Sequence, residues 1–193
     1  AGLMSGPMRS RFGITHNLEF YSDDQLLRIV RRSARLLNVI ADETTEDAAV
    51  EAALRAVATR SRGTPRIANR LLRRVRDFSQ VRHGGVLDAD AVDMALSLEG
   101  VDPLGLDELD RRYLKVIGEI YNGGPVGLEA IAATLGEDAG TLEEMVEPYL
   151  LQLGFVSRTR AGRQLMPRGA EHVGIPLPRT DEPGDLFNEA ESD

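Results

Sequence analysis

Thr141-Leu142-Glu143-Glu144-Met145-Val146-Glu147-Pro148-Tyr149-Leu150-Leu151-Gln152-Leu153, followed by Gly154-Phe155-Val156-Ser157-Arg158-Thr159-Arg160-Ala161-Gly162-Arg163-Gln164-Leu165-Met166, decides the fold. The first run spaces its apolar side chains as a helix does, and Thr141 with Glu144 has the form of a capping box. Gly154 ends that helix. The apolar and β-branched run 155–159, a turn at 160–162 and a second strand at 163–166 read as a hairpin. Upstream, Asp107 caps a helix to about Tyr121, Gly123-Gly124-Pro125 breaks it, and a short helix covers 127–135. Helix, helix, helix, hairpin is the chain order of a winged helix, here expected over 101–175.

Further upstream the pattern changes. Ser22 with Gln25 forms a capping box, and Leu26, Ile29, Val30, Ala34 and Leu37 make a helical stripe. An alanine-rich helix begins near Thr45. Thr64 and Pro65 open a third helix with core face Ile67, Leu71, Val75 and Phe78, closed by His83-Gly84-Gly85. Asp88 caps a fourth to about Leu98. Residues 22–100 are therefore expected to form a four-helix bundle, with Gly100 to Gly105 as a linker. The tail 176–193 holds six acids, three prolines and few large apolar groups, the composition of a disordered segment. Ala1 is not a start methionine and 1–21 begins in mid-pattern, so the chain reads as a piece beginning inside a larger protein.

Composition narrows the chemistry. The 193 residues contain no Cys, which excludes disulfides, thiolate nucleophiles and Cys-ligated metals; the three His lie far apart. No apolar run approaches a membrane span, and no signal-peptide pattern opens the chain, so a soluble, intracellular protein is expected. Aromatic residues are only 5%, too few for a stacking platform on single strands. The net charge of -8 is uneven: +2 over 1–100, -5 over 101–175 and -5 over 176–193. Contact with nucleic acid must then come from local patches.

Three constellations of arginine stand out. Arg9 and Arg11 read on spacing alone as surface arginines, although an arginine offered to a neighbouring subunit's nucleotide also has this form. Seven arginines and no acid lie between Arg60 and Arg76. Of these, Arg66, Arg70 and Arg73 share one helix face, and Arg66 sits in the first turn, where phosphate is favoured. The pattern equally suits a solvated amphipathic face. Finally, Arg158, Arg160, Arg163 and Arg168 occupy the acid-free stretch 154–170. The helix before them carries Glu143, Glu144 and Glu147, which would repel phosphate, so the wing is expected to grip DNA backbone without reading bases. Exposed wing arginines should add little to fold stability. No G-x-x-x-x-G-K-[ST] loop is present, nor a catalytic Ser/His/Asp spacing; the paired acids Asp23-Asp24 and Glu143-Glu144 suit helix first turns.

Taken together, these segments resemble the RuvB family of AAA+ motors that drive Holliday-junction branch migration. The resemblance rests on Arg11-Phe12-Gly13-Ile14, Leu18-Glu19-Phe20-Tyr21, the long run Gly63 to Phe78, Gly123-Gly124-Pro125-Val126-Gly127-Leu128, Glu147-Pro148-Tyr149-Leu150, Gly154-Phe155, and Arg158-Thr159-Arg160-Ala161-Gly162-Arg163. It implies a mainly α chain: residues 1–21 as the end of a large ATPase domain, a four-helix AAA+ lid over 22–100, and a winged helix with a small β-hairpin wing. It implies Arg11 as an arginine finger acting on a neighbour's nucleotide. Tyr21, Pro65 and Arg66 would be nucleotide-binding, with Arg66 as the lid's sensor, and Arg158, Arg160 and Arg163 DNA-binding. It also implies ATP or ADP with Mg in the full-length protein, a homo-hexameric ring on the duplex arms of a Holliday junction, and partnership with a RuvA tetramer and RuvC in a bacterial cytoplasm. The chain alone, lacking Walker motifs, would be inactive as an ATPase. Two departures stand out: the stretch Ala41–Glu51 is longer than the family pattern, and Ala139 stands where some members carry a basic residue. A stand-alone winged-helix DNA-binding regulator is the competing reading.

Overall fold

The computed structural model describes residues 19–40 and 47–177. The chain divides into two compact units between Glu99 and Gly100.

In the first unit, helix α1 (Asp23–Leu36) starts at a reciprocal capping box: the Gln25 N–H donates to Ser22 Oγ at 3.3 Å, and the Ser22 N–H donates to Gln25 Oε1 at 2.9 Å. It buries Leu26, Leu27, Val30 and Ala34. Helix α2 (Ala48–Thr59) is capped by Asp47, whose Oδ1 accepts from the Ala49 N–H at 2.8 Å, and buries Ala53, Leu54, Val57 and Ala58. The expected start at Thr45 and much of the longer stretch after Arg35 lie outside the described residues. Helix α3 (Pro65–Arg82) buries Ala68, Leu71, Leu72, Val75 and Ser79. Ile67 and Phe78, expected in the core, are only half-buried at its margins. Helix α4 (Ala89–Leu98) is capped by Asp88 and closes the bundle through Ala91, Val92, Ala95 and Leu96. The small residues of α2 and α4 allow close approach, while Leu54, Leu72 and Leu96 fill the space between helices.

The second unit begins with the expected linker, which is built into its fold. Asp102 Oδ1 accepts from the N–H groups of Leu104 and Leu106 at 2.9 and 2.8 Å, and its Oδ2 meets His172 Nε2 at 2.7 Å. Helix α5 (Glu108–Lys115) opens on an Asp107–Asp110 capping box and widens into a π-helical turn, Val116–Ile120. Asn122, Gly123 and Gly124 all have positive φ and reverse the chain. Helix α6 is Leu128–Leu135. The next helical path runs through α7 (Ala139–Thr141), a second wide turn (Leu142–Val146) and α8 (Glu147–Gln152). Its cap is Asp138, whose Oδ2 accepts from the Thr141 N–H at 2.8 Å, so the expected Thr141–Glu144 box is corrected: an Asp three residues earlier takes the first-turn donor. Pro148 has no N–H for the carbonyl four residues back and its ring crowds that carbonyl; the wide turn lies where this strain falls.

Strands β1 (Val156–Thr159) and β2 (Gly162–Leu165) pair antiparallel with Val156 opposite Leu165 and Arg158 opposite Arg163. Val126 adds a third edge unforeseen from sequence: its N–H donates to the Arg163 carbonyl at 2.9 Å, and the Arg163 N–H returns a bond to Val126 at 2.7 Å. A side chain at Gly162 would strike the Val126 backbone, which explains a glycine there beyond the needs of the turn. Helix α9 (Pro167–His172) follows, also unforeseen. The core joins Leu106, Tyr113, Leu114 and Ile117 with Ile131, Leu142, Leu150, Phe155 and Leu165.

Candidate nucleic-acid and nucleotide interfaces

The wing is organised around one buried acid. Register places Arg158 and Arg163 directly opposite on the same face of the hairpin, a like-charge pair that would be unfavourable alone. Glu147, at the start of α8, lies beneath both with no exposure. Its Oε1 accepts from Arg163 Nε at 2.8 Å and from the Tyr113 hydroxyl at 2.6 Å. Its Oε2 accepts from Arg158 Nε at 2.6 Å, is ion-paired with Arg158 Nη2, and lies 3.4 Å from Arg163 Nη2. Burial works to raise the Glu147 carboxyl, but hydrogen bonds from Arg163, Tyr113 and Arg158 outweigh it and hold it below its ordinary value. Burial and the bond to Glu147 push the Tyr113 hydroxyl upward, and the same carboxylate raises Arg163. The expectation of three groove-facing acids is therefore corrected. Glu143 and Glu144 are exposed, whereas Glu147 turns inward because Val146, Tyr149 and Leu150 set its turn into the core.

Arg160 projects at the wing tip, exposed and with no hydrogen bond or ion pair among the described residues. The turn that holds it is locked by Thr159, whose Oγ1 accepts from the N–H groups of Ala161 and Gly162, both at 3.2 Å, and donates to the Gly162 carbonyl at 2.9 Å. Arg168, at the start of α9, is also exposed.

In the first unit, the structure brings Tyr21, Pro65 and Arg66 to one place. The Tyr21 N–H donates to the Gly63 carbonyl at 2.9 Å, which ties the segment before α1 to the start of α3. Gly63 has φ +66°, and a Cβ there would lie 2.6 Å from Phe20 Cβ, so only glycine lets the strap cross. Thr64 does not cap α3: its Oγ1 donates to the Arg62 carbonyl at 3.2 Å, leaving the first turn open beside the exposed Arg66. Glu19, Tyr21, Thr64 and Pro65 line a shallow cleft there, and Arg70 and Arg73 continue the exposed basic face. Arg9 and Arg11 lie outside the described residues. No group of metal ligands occurs among the described residues, and no described helix is long and apolar enough to cross a membrane.

Sequence reasoning missed Tyr113, the inward turn of Glu147 and the strand-like edge at Val126. The available signal for Glu147 was an acid set among Val146, Pro148, Tyr149 and Leu150.

Comparison with known proteins accounts for both units. The RuvB AAA lid domain matches residues 21–102, and the RuvB C-terminal winged helix domain matches residues 103–174. Among solved structures, the chain is similar to the Thermotoga maritima RuvB Holliday junction branch migration motor, with 46% identity, a TM-score of 0.83, and coverage of 92% of this chain and 57% of that one. Two single-substitution variants of the Thermotoga maritima protein match with the same identity, TM-score and coverage of this chain, and with 57% and 56% of their own length covered. The chain thus spans a little over half the length of these relatives. A lid match beside the winged-helix match leaves the stand-alone regulator without support. With the two domain matches abutting over nearly all of the described residues, the chain belongs to the RuvB family.

Proposed function

We propose that this chain supplies the lid and the DNA-gripping domain of an ATP-driven motor for Holliday-junction branch migration. In that reading, ATP turnover between subunits of a hexameric ring moves the lids, and the winged helices pass the motion to the duplex arms. RuvA and RuvC are partners in this reading through family likeness, as is a cytoplasmic setting. The lid cleft fits one wall of a nucleotide site: an open helix start, a tyrosine whose backbone is tied at the strap, and an arginine with no partner among the described residues suit a polyphosphate. When bound, Mg-ATP would supply the phosphoryl chemistry. Arg66 would bind its phosphates, Tyr21 and Pro65 would position the base and sugar, and Arg11 would stabilise charge on a neighbour's nucleotide.

The observation that carries the DNA reading is the wing itself. Its arginines are held by Glu147 in a fixed array with Arg160 at the tip, while the helix beside them offers Glu143 and Glu144, which cannot approach bases past phosphate. Arg160→Ala is expected to weaken binding equally on two unrelated duplexes and to lower the salt slope by about one unit, the loss of one phosphate contact. A salt titration by fluorescence anisotropy measures both quantities. An unchanged slope, or weakening on one duplex only, would remove the wing from this role.

A further inference from the structure

Glu147 is not the only acid on the wing arginines. Glu143, one turn earlier, is half-exposed, and its Oε1 lies 3.5 Å from Arg158 Nη1 and 3.8 Å from Arg163 Nη2. The two carboxylates differ in kind. Glu147 is buried and takes both Nε groups at 2.6 and 2.8 Å. Glu143 stands farther off and more exposed, against Arg158 Nη1 and against Arg163 Nη2, a nitrogen that also lies 3.4 Å from Glu147 Oε2. Those nitrogens are the donors that a phosphate oxygen would need. A single oxygen shared between two guanidinium groups is also the arrangement that a backbone phosphate would present.

We infer that Glu143 is a displaceable internal counterion that occupies the DNA phosphate position between Arg158 and Arg163. With both acids in place the cluster carries no net charge. When a phosphate enters, Glu143 swings to solvent, while Glu147 keeps the arginines aimed. Binding is thereby weakened by a fixed increment on every sequence, and release is eased. For a protein that must let go of one phosphate to take the next, a competitor attached to its own helix limits how long each grip lasts. This inference rests on the DNA reading above.

The test uses the 193-residue chain, short fluorescent duplexes of two unrelated sequences, and a salt titration. Glu143→Gln keeps size and helix while removing the charge. It should tighten binding about two- to fivefold at low salt, the scale of one partly exposed ion pair, and steepen the salt dependence, because the arginines no longer exchange one anion for another. Glu144→Gln, at another exposed acid in the same wide turn with no arginine contact among the described residues, should give a clearly smaller gain. In the Arg158→Ala background the gain from Glu143→Gln should shrink markedly, with circular dichroism used to verify that this chain is folded. Equal gains from Glu143→Gln and Glu144→Gln would overturn the inference, as would a full gain that persists without Arg158. If Arg160→Ala weakens binding while Glu143→Gln changes neither affinity nor slope, the inference falls and the DNA reading stands. If none of the chains binds either duplex, the DNA reading falls and the inference with it.

Discussion

At Glu147, burial and ion pairing oppose each other, and pairing prevails. The carboxyl's folded value lies below the ordinary 4.5, so its stabilisation is complete above that pH and falls away as pH descends through the lower folded value. Glu147→Gln should therefore cost about 2–3 kcal/mol at neutral pH, because two aimed arginines lose their charge partner. The gap between wild type and variant should narrow below about pH 4.5; thermal melts across the acid range measure it. The two arginines should also part company. Arg163 is 19% exposed in its side chain and Arg158 is 41% exposed. Arg163→Ala is expected to cost about 2–3 kcal/mol and Arg158→Ala about 1 kcal/mol, since solvent screens the more open pair. Chemical denaturation of the two variants compares them directly, and equal losses would contradict the geometry. This departs from the sequence expectation that wing arginines contribute little to stability. Alternation along a strand shows which residues share a face, but not that an acid elsewhere is buried beneath them.

At the scale of elements, what was legible depended on whether the signal was local. The Ser22–Gln25 box, the Asp88 and Asp107 caps and the Pro65 start are decided within one helical turn, and the structure has them all. The buried stripe of α3 is rotated from the expected one: Leu71 and Val75 are shared, but Ala68, Leu72 and Ser79 are buried in place of the expected Ile67 and Phe78, and Ala68 and Ser79 are small residues without a strong hydrophobic signal. What could not be read was contact across the chain: Val126 on Arg163, Asp102 on His172 and Tyr113 on Glu147. Each joins residues far apart in sequence, and nothing in either partner alone announces the other. The strap at Gly63 is of the same kind. Gly63→Ala must adopt a positive φ and also push Phe20 away, whereas Gly84→Ala, at φ +62°, meets nothing within 4 Å. About 1 kcal/mol of backbone strain is expected at either position, so Gly63→Ala should melt several degrees lower than Gly84→Ala, the excess measuring the strap's crossing. Differential scanning calorimetry of the two variants tests this.

At the scale of the whole chain, the 193 residues contain no phosphate-cradling loop of the G-x-x-x-x-G-K-[ST] form. The purified chain is expected to show no ATP turnover above background in a phosphate-release assay, with or without duplex DNA. Turnover that is lost in Arg66→Ala would contradict this. The wing's third edge has a mechanical consequence. Traction on Arg160 runs along β2, and there the backbone is stitched on both sides: to β1 by the hairpin ladder, and to the 123–126 segment by the Val126–Arg163 pair and the Leu165 N–H to Gly123 carbonyl bond at 2.9 Å. Ladder bonds lie across the strand direction, so a pull along it loads them together in shear instead of peeling them one at a time. A tip tethered in this way yields as a block, and its recoil is stiff. In the motor role proposed above, displacement at the helical core would reach the arginine tip with little lost to stretch.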